Sequence, residues 1–207
     1  MTPGADPLVW LADAASVDAA SLARHAAWLG ASERERCARF LRAERRRQFI
    51  VGRALLRMAL GSLLARDPAM IELDERPGQS PGFIFPPGMN GGFSISHSGR
   101  WVACAASTRT RLGLDIERID PERDVLALSE QAFGAADVAL LQAAGPAARI
   151  GTFYRMWCAH EAGIKLGQDK RSEYALEAPG LAGVLACAAP LAAAPHLVQV
   201  CLNDCRE

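Results

Sequence analysis

Lysine is almost missing from this chain of 207 residues: among 23 basic side chains only Lys165 and Lys170 are lysines. Arginine therefore carries nearly all the positive charge, and Lys165 stands out against it. Net charge is missing as well, since 23 basic residues balance 23 acidic ones. That balance excludes a bulk field drawing the protein to nucleic acid or to an anionic membrane. No C-x-x-C pair occurs among Cys37, Cys104, Cys158, Cys187, Cys201 and Cys205, and the last two lack histidine partners at zinc-site spacing. No signal-peptide pattern opens the sequence. The apolar run near Leu181–Ala194 is broken by Gly183 and Pro190 and is too short to span a bilayer. The expectation is a cytoplasmic protein with small, buried, reduced cysteines and neither a membrane nor a nucleic-acid partner. Internal repeats are lacking too.

What is present is apolar material, 50% of the chain, enough for a substantial core. Leu8–Leu11 reads as an opening strand, Asp18 to Trp28 as a helix, and Ser32-Glu33-Arg34-Glu35 as a capping box starting a helix through about Leu41. A longer helix is expected from Glu44 to Ala65, where Gly52 permits a close helix contact. The Pro/Gly-rich stretch Pro77 to Gly92 reads as a loop, followed by two strands, Phe93–Ser98 and Trp101–Ala106, joined by a tight turn. A strand over Leu112–Glu117, helices over Asp120–Phe133, Ala135–Ala143 and Arg149–Leu166, and strands near Gly183–Ala188 and Leu197–Leu202 complete the expectation. Helix and strand alternate in each half, which predicts an α+β fold of two small lobes, residues 1–108 and 109–207.

The stretch Gly113-Leu114-Asp115-Ile116-Glu117 alternates apolar and acidic residues, so Asp115 and Glu117 share one face of a strand. Like charges that close oppose each other's ionisation unless a cation lies between them, and Mg²⁺, a hard ion that takes one or two carboxylates plus phosphate oxygens, answers that need. A solvated strand face is the plain alternative for two acids alone. On the last long helix Tyr154, Trp157, Glu161 and Lys165 form one stripe, so that Glu161 and Lys165 share a face with aromatic residues expected to point inward. Glu161 would complete a metal site with Asp115 and Glu117, and Lys165 would neutralise a phosphate held there. Ser96-His97-Ser98 offers three polar side chains at a strand end. A Ser/His hydrolase is set aside because no G-x-S-x-G elbow exists. The arginine run from Arg34 to Arg47 is either a solvated helix face paired with Glu33, Glu35 and Glu44, or a phosphate-binding patch. DNA binding lacks a helix-turn-helix signature.

Phe93-Ser94-Ile95-Ser96-His97-Ser98, Gly113-Leu114-Asp115-Ile116-Glu117 and Trp157-Cys158-Ala159-His160-Glu161-Ala162-Gly163-Ile164-Lys165 occur in that order. Together they resemble the 4′-phosphopantetheinyl transferases, most closely the larger, monomeric class that activates surfactin-type synthetases. The likeness extends upstream through Arg34–Arg57. It implies two similar α/β lobes related by a pseudo-twofold axis with the active site between them. It also implies Mg²⁺-dependent (or Mn²⁺-dependent) transfer of phosphopantetheine from coenzyme A to a serine of an acyl or peptidyl carrier protein, with release of 3′,5′-ADP. In that resemblance Asp115, Glu117 and Glu161 are the metal-binding acids, Glu161 the general base, and Lys165 the lysine at the phosphates. Ser96 and His97 lie near the ribose and its 3′-phosphate, Arg36 and Arg47 are basic contacts to that phosphate, and Gly78-Gln79-Ser80-Pro81 stands where the family holds adenine. Three departures accompany it. His160 replaces a lysine that contacts phosphate, which would make that contact pH-dependent; the adenine segment lacks its lysine; and Ser94 replaces an asparagine. They keep open an alternative, a catalytically weakened coenzyme A-binding or regulatory module of the same fold.

Overall fold

The computed structural model describes residues 6–74 and 81–203. Seven strands, β1 (Leu8–Asp13), β2 (Gly92–Ser98), β3 (Trp101–Ser107), β4 (Leu112–Arg118), β5 (Ser172–Ala178), β6 (Leu181–Cys187) and β7 (Leu197–Gln199), form two sheets among these residues. The first has the order β2-β3-β1-β7 and the second β4-β6-β5. All pairings are antiparallel except β1 with β7, which is parallel. Six α-helices accompany them: α1 (Ala19–Ala27), α2 (Ala31–Ala38), α3 (Ala43–Leu64), α4 (Val125–Ala132), α5 (Ala135–Ala143) and α6 (Pro146–Leu166). The fold is α+β, as expected.

Side-chain alternation along the strands builds the layers. Trp10 and Ala12 of β1, with Val102, Cys104 and Ala106 of β3, turn toward Val51, Leu55, Leu56, Ala59 and Leu60 of α3. The intervening residues Val9, Leu11, Ala103 and Ala105 face the second sheet and meet Leu114, Ile116 and Leu185. On the far side of that sheet, Ala182, Val184 and Ala186 of β6 pack against Phe153, Tyr154, Cys158 and Ala162 of α6. The order of layers is thus α3, first sheet, second sheet, α6. Because Leu114 and Ile116 point to the sheet interface, Gly113, Asp115 and Glu117 point to α6.

Several sequence expectations need correction. The capping box does not begin at Ser32: α2 starts after Gly30, whose amide donates to Glu33 Oε2 at 2.8 Å. Glu33 is fully buried and also takes the guanidinium of Arg57, with Nη1 3.0 Å from Oε1, and Arg53, with Nε 3.1 Å from Oε1. The expected helix over Asp120–Phe133 starts only at Val125, capped by Asp124, whose Oδ1 accepts from Ala127 N. β5 was not expected at all, and the final strand ends at Gln199. Gly52 serves a strand contact and not a helix contact: a Cβ there would lie 3.2 Å from Ile95 Cγ2. The division at 108/109 falls in the link from β3 to β4, yet β7 returns to pair with β1 in the first sheet. Among the described residues no helix is long and apolar enough to cross a membrane.

One contact sets how closely α6 lies on β4. A Cβ on Gly113 would fall 2.1 Å from the carbonyl oxygen of Ala162 and 2.7 Å from the amide nitrogen of Leu166, both backbone atoms that cannot yield without moving the helix. Gly113→Ala is expected to cost roughly 1–3 kcal/mol of stability, the range for overpacking a filled site. For a chain of this size that lowers the thermal midpoint by roughly 2–4 °C per kcal/mol. An unchanged midpoint in differential scanning calorimetry would contradict the close packing of α6 on β4.

Candidate functional site

The acids of β4 meet α6 through Lys165. Its ammonium lies 2.8 Å from Asp115 Oδ1, 3.0 Å from the carbonyl oxygen of Leu114 and 3.1 Å from Ser96 Oγ. The pair is partly shielded, with the Asp115 side chain 7% exposed and that of Lys165 30% exposed. No ion pair joins Lys165 to Glu161 on its own helix; the lysine turns to the strand instead. Glu161 is half-buried and has no hydrogen-bond or ion-pair partner among the described residues. His160 is exposed, its ring 6.4 Å from that of Phe133.

The Glu117 carboxyl is disfavoured as an anion where it stands. Burial pushes the Glu117 carboxyl above its ordinary value and Asp115 adds to the rise, while the Ser98 hydroxyl, bonded to Glu117 Oε2 at 2.6 Å, partly offsets it. The Cys158 thiol beneath them is pushed up as well, first by burial and then by the charge of Asp115. Asp115 Oδ2 is buried and has no hydrogen-bond partner. An orphaned carboxylate oxygen beside a second half-buried carboxylate is a donor set that fits a hard dication. Among the described residues, however, no three His, Cys, Asp or Glu side chains converge closely enough to hold an ion. Asp115 and Glu117 are brought together on β4, and Glu161 is not drawn into a three-acid cluster with them.

A second region adjoins this one. Arg36, Arg45, Phe49, Arg53, Pro81 and His97 line a cleft of about 590 Å³ between α3 and β2. Arg53 holds its guanidinium carbon 4.6 Å from the Phe49 ring centre, and Arg36 does so at 5.6 Å, within cation–π range. Arg45 Nη1 comes within 3.0 and 3.1 Å of the two ring nitrogens of His97. The imidazole pKa is lowered, first by desolvation, although one edge of the residue reaches solvent, then by Arg45 and further by Lys165. The neutral form of His97 is thus favoured beside Arg45. A further cleft of about 450 Å³ shares Arg45, Gln48 and His97 with the first and extends to Ser98 and Glu117. Through these shared residues the two form one groove from Arg36 to Glu117.

Of the residues expected from sequence, Arg36, Pro81 and His97 come together in the first cleft and Glu117 lines the adjoining one, while Asp115 and Lys165 pair with each other and line neither. Arg47 is not brought to it: its Nη1 donates to the carbonyl oxygens of Ala14 and Val17, tying α3 to the end of β1. Ser96 is buried and turned toward β4, away from the arginines. Gly78, Gln79 and Ser80 lie outside the described residues. Arg45 and Arg53 were missed individually. The signal was available for Arg45, which lies in the arginine run, but nothing in a run of arginines says which one faces a strand.

Two family models match the chain. The one described as 4′-phosphopantetheinyl transferase, N-terminal, covers residues 17–109, and that of the 4′-phosphopantetheinyl transferase superfamily covers residues 111–175. A 4′-phosphopantetheinyl transferase of Bacillus subtilis is 32% identical over 142 residues, 69% of this chain and 61% of that one. HetI of a Nostoc strain, also named a 4′-phosphopantetheinyl transferase, is 30% identical over 153 residues, 70% and 61% of the two chains. The transferase Sfp of Bacillus subtilis strain 168 is 28% identical over 142 residues, again 69% and 61%. The matched region thus spans less than two thirds of the length of these relatives. With both family models falling in order along it, the chain belongs to the 4′-phosphopantetheinyl transferase superfamily.

Proposed function

We propose that this chain transfers the 4′-phosphopantetheine group of coenzyme A to a serine of acyl or peptidyl carrier proteins, releasing 3′,5′-ADP, as a monomer in the cytoplasm. The observation that carries the reading is the groove with cations and an aromatic wall at one end and Glu117 at the other, Glu117 being the strand neighbour of the Asp115–Lys165 pair. Coenzyme A has matching ends, a phosphorylated nucleotide and a pyrophosphate that leads to the pantetheine arm. Arg36, Arg45 and His97 would receive the 3′-phosphate, with arginine's planar fork suited to it. Pro81, which lines the cleft, would contact the adenine, as the family resemblance implies for Gly78, Gln79 and Ser80. Residues 1–108 then supply the nucleotide contacts, and 109–207 supply the acids and the catalytic helix.

Asp115 and Glu117 would hold a divalent cation, Mg²⁺ or Mn²⁺, with Glu161 as the third acid; when bound, the cation offsets negative charge on the pyrophosphate. Glu161, half-buried and unpaired, accepts the proton of the carrier serine directly or through a water. The serine oxygen forms a new bond to the phosphorus bearing pantetheine, and the bridging P–O bond of the pyrophosphate breaks. Lys165 offsets the charge that gathers on the departing 3′,5′-ADP, a role its ammonium can take because it already stands at Asp115. His160 is exposed and would meet phosphate where the family carries a lysine.

A second reading, a module of this fold that binds coenzyme A without transferring from it, is favoured by the lack of a three-acid cluster among the described residues. Incubation with coenzyme A, Mg²⁺ and a panel of carrier proteins separates the two: a phosphopantetheine mass shift on the carrier supports transfer, and binding without a shift supports the module. Asp115→Ala should lower transfer by roughly 10²–10³-fold, the size of effect seen when a charge-stabilising group is removed from an active site. Full activity in that variant would sink the cation assignment. Lys165→Ala should lower kcat with a smaller effect on the thermal midpoint, and a wild-type rate would refute its role.

The depressed His97 pKa gives a pH prediction. In the free protein the imidazole is neutral at pH 7, held below its ordinary 6.5 by desolvation, Arg45 of α3 and Lys165 of α6, with Asp115 of β4 opposing. A bound phosphate dianion reverses that field and favours the imidazolium, so binding takes up a proton. Coenzyme A affinity should therefore rise as pH is lowered from 8 toward neutrality, and this dependence should flatten in His97→Gln. Calorimetry in two buffers of different ionisation enthalpy reads the proton uptake; none in the wild type would remove His97 from the phosphate site.

A further inference from the structure

β2 and β4 belong to different sheets and share no main-chain ladder, yet they run side by side in the same direction. Serine hydroxyls join them at two successive steps. Ser96 Oγ donates to Asp115 Oδ1 at 2.8 Å and accepts from Ile116 N at 3.3 Å. Two residues on, Ser98 Oγ donates to Glu117 Oε2 at 2.6 Å and accepts from Arg118 N at 2.9 Å. A hydroxyl has one O–H and two lone pairs. The second lone pair of Ser96 takes Lys165 Nζ at 3.1 Å, so its capacity is filled by the protein itself. It is buried at 5% exposure and has no bond left to offer a ribose or a phosphate.

We infer that Ser96 and Ser98 are positioning residues whose hydroxyls orient the Asp115 and Glu117 carboxylates to receive a divalent cation. The inference rests on the cation reading above. A strand carboxylate rotates broadly about its last torsion. A donor fixed to one oxygen, and itself anchored to the next backbone amide, stops that rotation and commits the other oxygen to a single direction. At Asp115 that other oxygen is the buried, unpartnered Oδ2. His97 points to the opposite face of β2, toward Arg45, so alternate residues of one strand serve the two ends of the groove. This is the relation by which outer groups commonly tune metal ligands.

Mn²⁺ binding by the full chain, followed by loss of the free-ion electron paramagnetic resonance signal, tests the inference. Ser98→Ala should weaken Mn²⁺ affinity by about tenfold or more, the usual scale for losing such a supporting hydrogen bond. Ser98→Thr, which keeps the hydroxyl, should recover most of it. Coenzyme A affinity without metal should fall less in Ser98→Ala than Mn²⁺ affinity does. Ser96→Ala should weaken Mn²⁺ further, and if it fails to fold the Ala/Thr pair at Ser98 still decides. Unchanged Mn²⁺ affinity in Ser98→Ala overturns the inference, whatever its thermal midpoint. So does lost metal-free coenzyme A affinity with Mn²⁺ binding intact, which would make the serine a ligand contact, and so does a wild-type chain that binds no Mn²⁺. If Mn²⁺ binding depends on Ser98 but no carrier is ever modified, the positioning role stands and the transferase reading falls. If carriers are modified and Ser98→Ala keeps its Mn²⁺ affinity, the reverse holds.

Discussion

The approach of α6 to β4 at Gly113 is the constraint on which the rest of the structure depends. Without a side chain at that position, the carbonyl of Ala162 lies where a Cβ would be, and the helix settles against the strand at backbone distance. Lys165, one turn further along, is then near enough to reach past the helix surface to Asp115 and to the carbonyl of Leu114. A helix held farther away by ordinary side chains would leave Lys165 in solvent, where its stem and charge prefer to be. It would also leave Asp115 without a counter-ion, held by the Ser96 hydroxyl alone, and a buried charge is costly in that state. Gly163, on the same helix, allows a similar approach by Arg171, whose guanidinium would meet a Cβ there at 2.6 Å. Small residues along α6 therefore decide which charges come together.

Much of this was legible in the sequence, for reasons that differ from residue to residue. The period-2 alternation of Leu114, Asp115, Ile116 and Glu117 reports both the strand and the shared face of its acids, because pleating permits no other arrangement. The long helices were visible because their apolar positions repeat over many turns, and Asp18 marks the start of α1 as a short polar cap does, its side-chain oxygen accepting the amide of Ser21. β5 was invisible: Ser172-Glu173-Tyr174 offers little burial pattern, and its partner β6 is apolar on both faces, so neither reveals the pairing. Glu33 misled for a related reason. Local spacing places it among solvent-facing acids, and only the arrival of Arg53 and Arg57 from another helix makes it a buried anchor.

The arginine run shows the limit most clearly. Seven arginines between Arg34 and Arg47 look alike in sequence, yet the structure gives them separate tasks. Arg34 holds the carbonyl of Leu29, Arg39 pairs with Glu35 on the surface, Arg47 ties α3 to the segment after β1, and Arg36 and Arg45 enter the cleft. The helical repeat sorts them by direction, but which direction meets a strand is a property of the packed layers. Composition alone could announce a phosphate patch and could not say which arginines form it.

The same reasoning bears on why two sheets are joined by hydroxyls and not by a ladder. In a ladder, the amides of Ile116 and Arg118 would be spent on carbonyls of β2, and nothing would touch the acids. With serine between them, each amide still finds an acceptor, as buried backbone must. The same oxygen also passes a proton donor to the neighbouring carboxylate. Two like charges on one strand face are thereby tolerated with one lysine in place of two cations, and with one oxygen of Asp115 left unsatisfied. The shortfall of positive charge is built into the seam itself. Removing the seam would let the acids turn away, leaving Lys165 on Asp115 as the remaining restraint among the described residues.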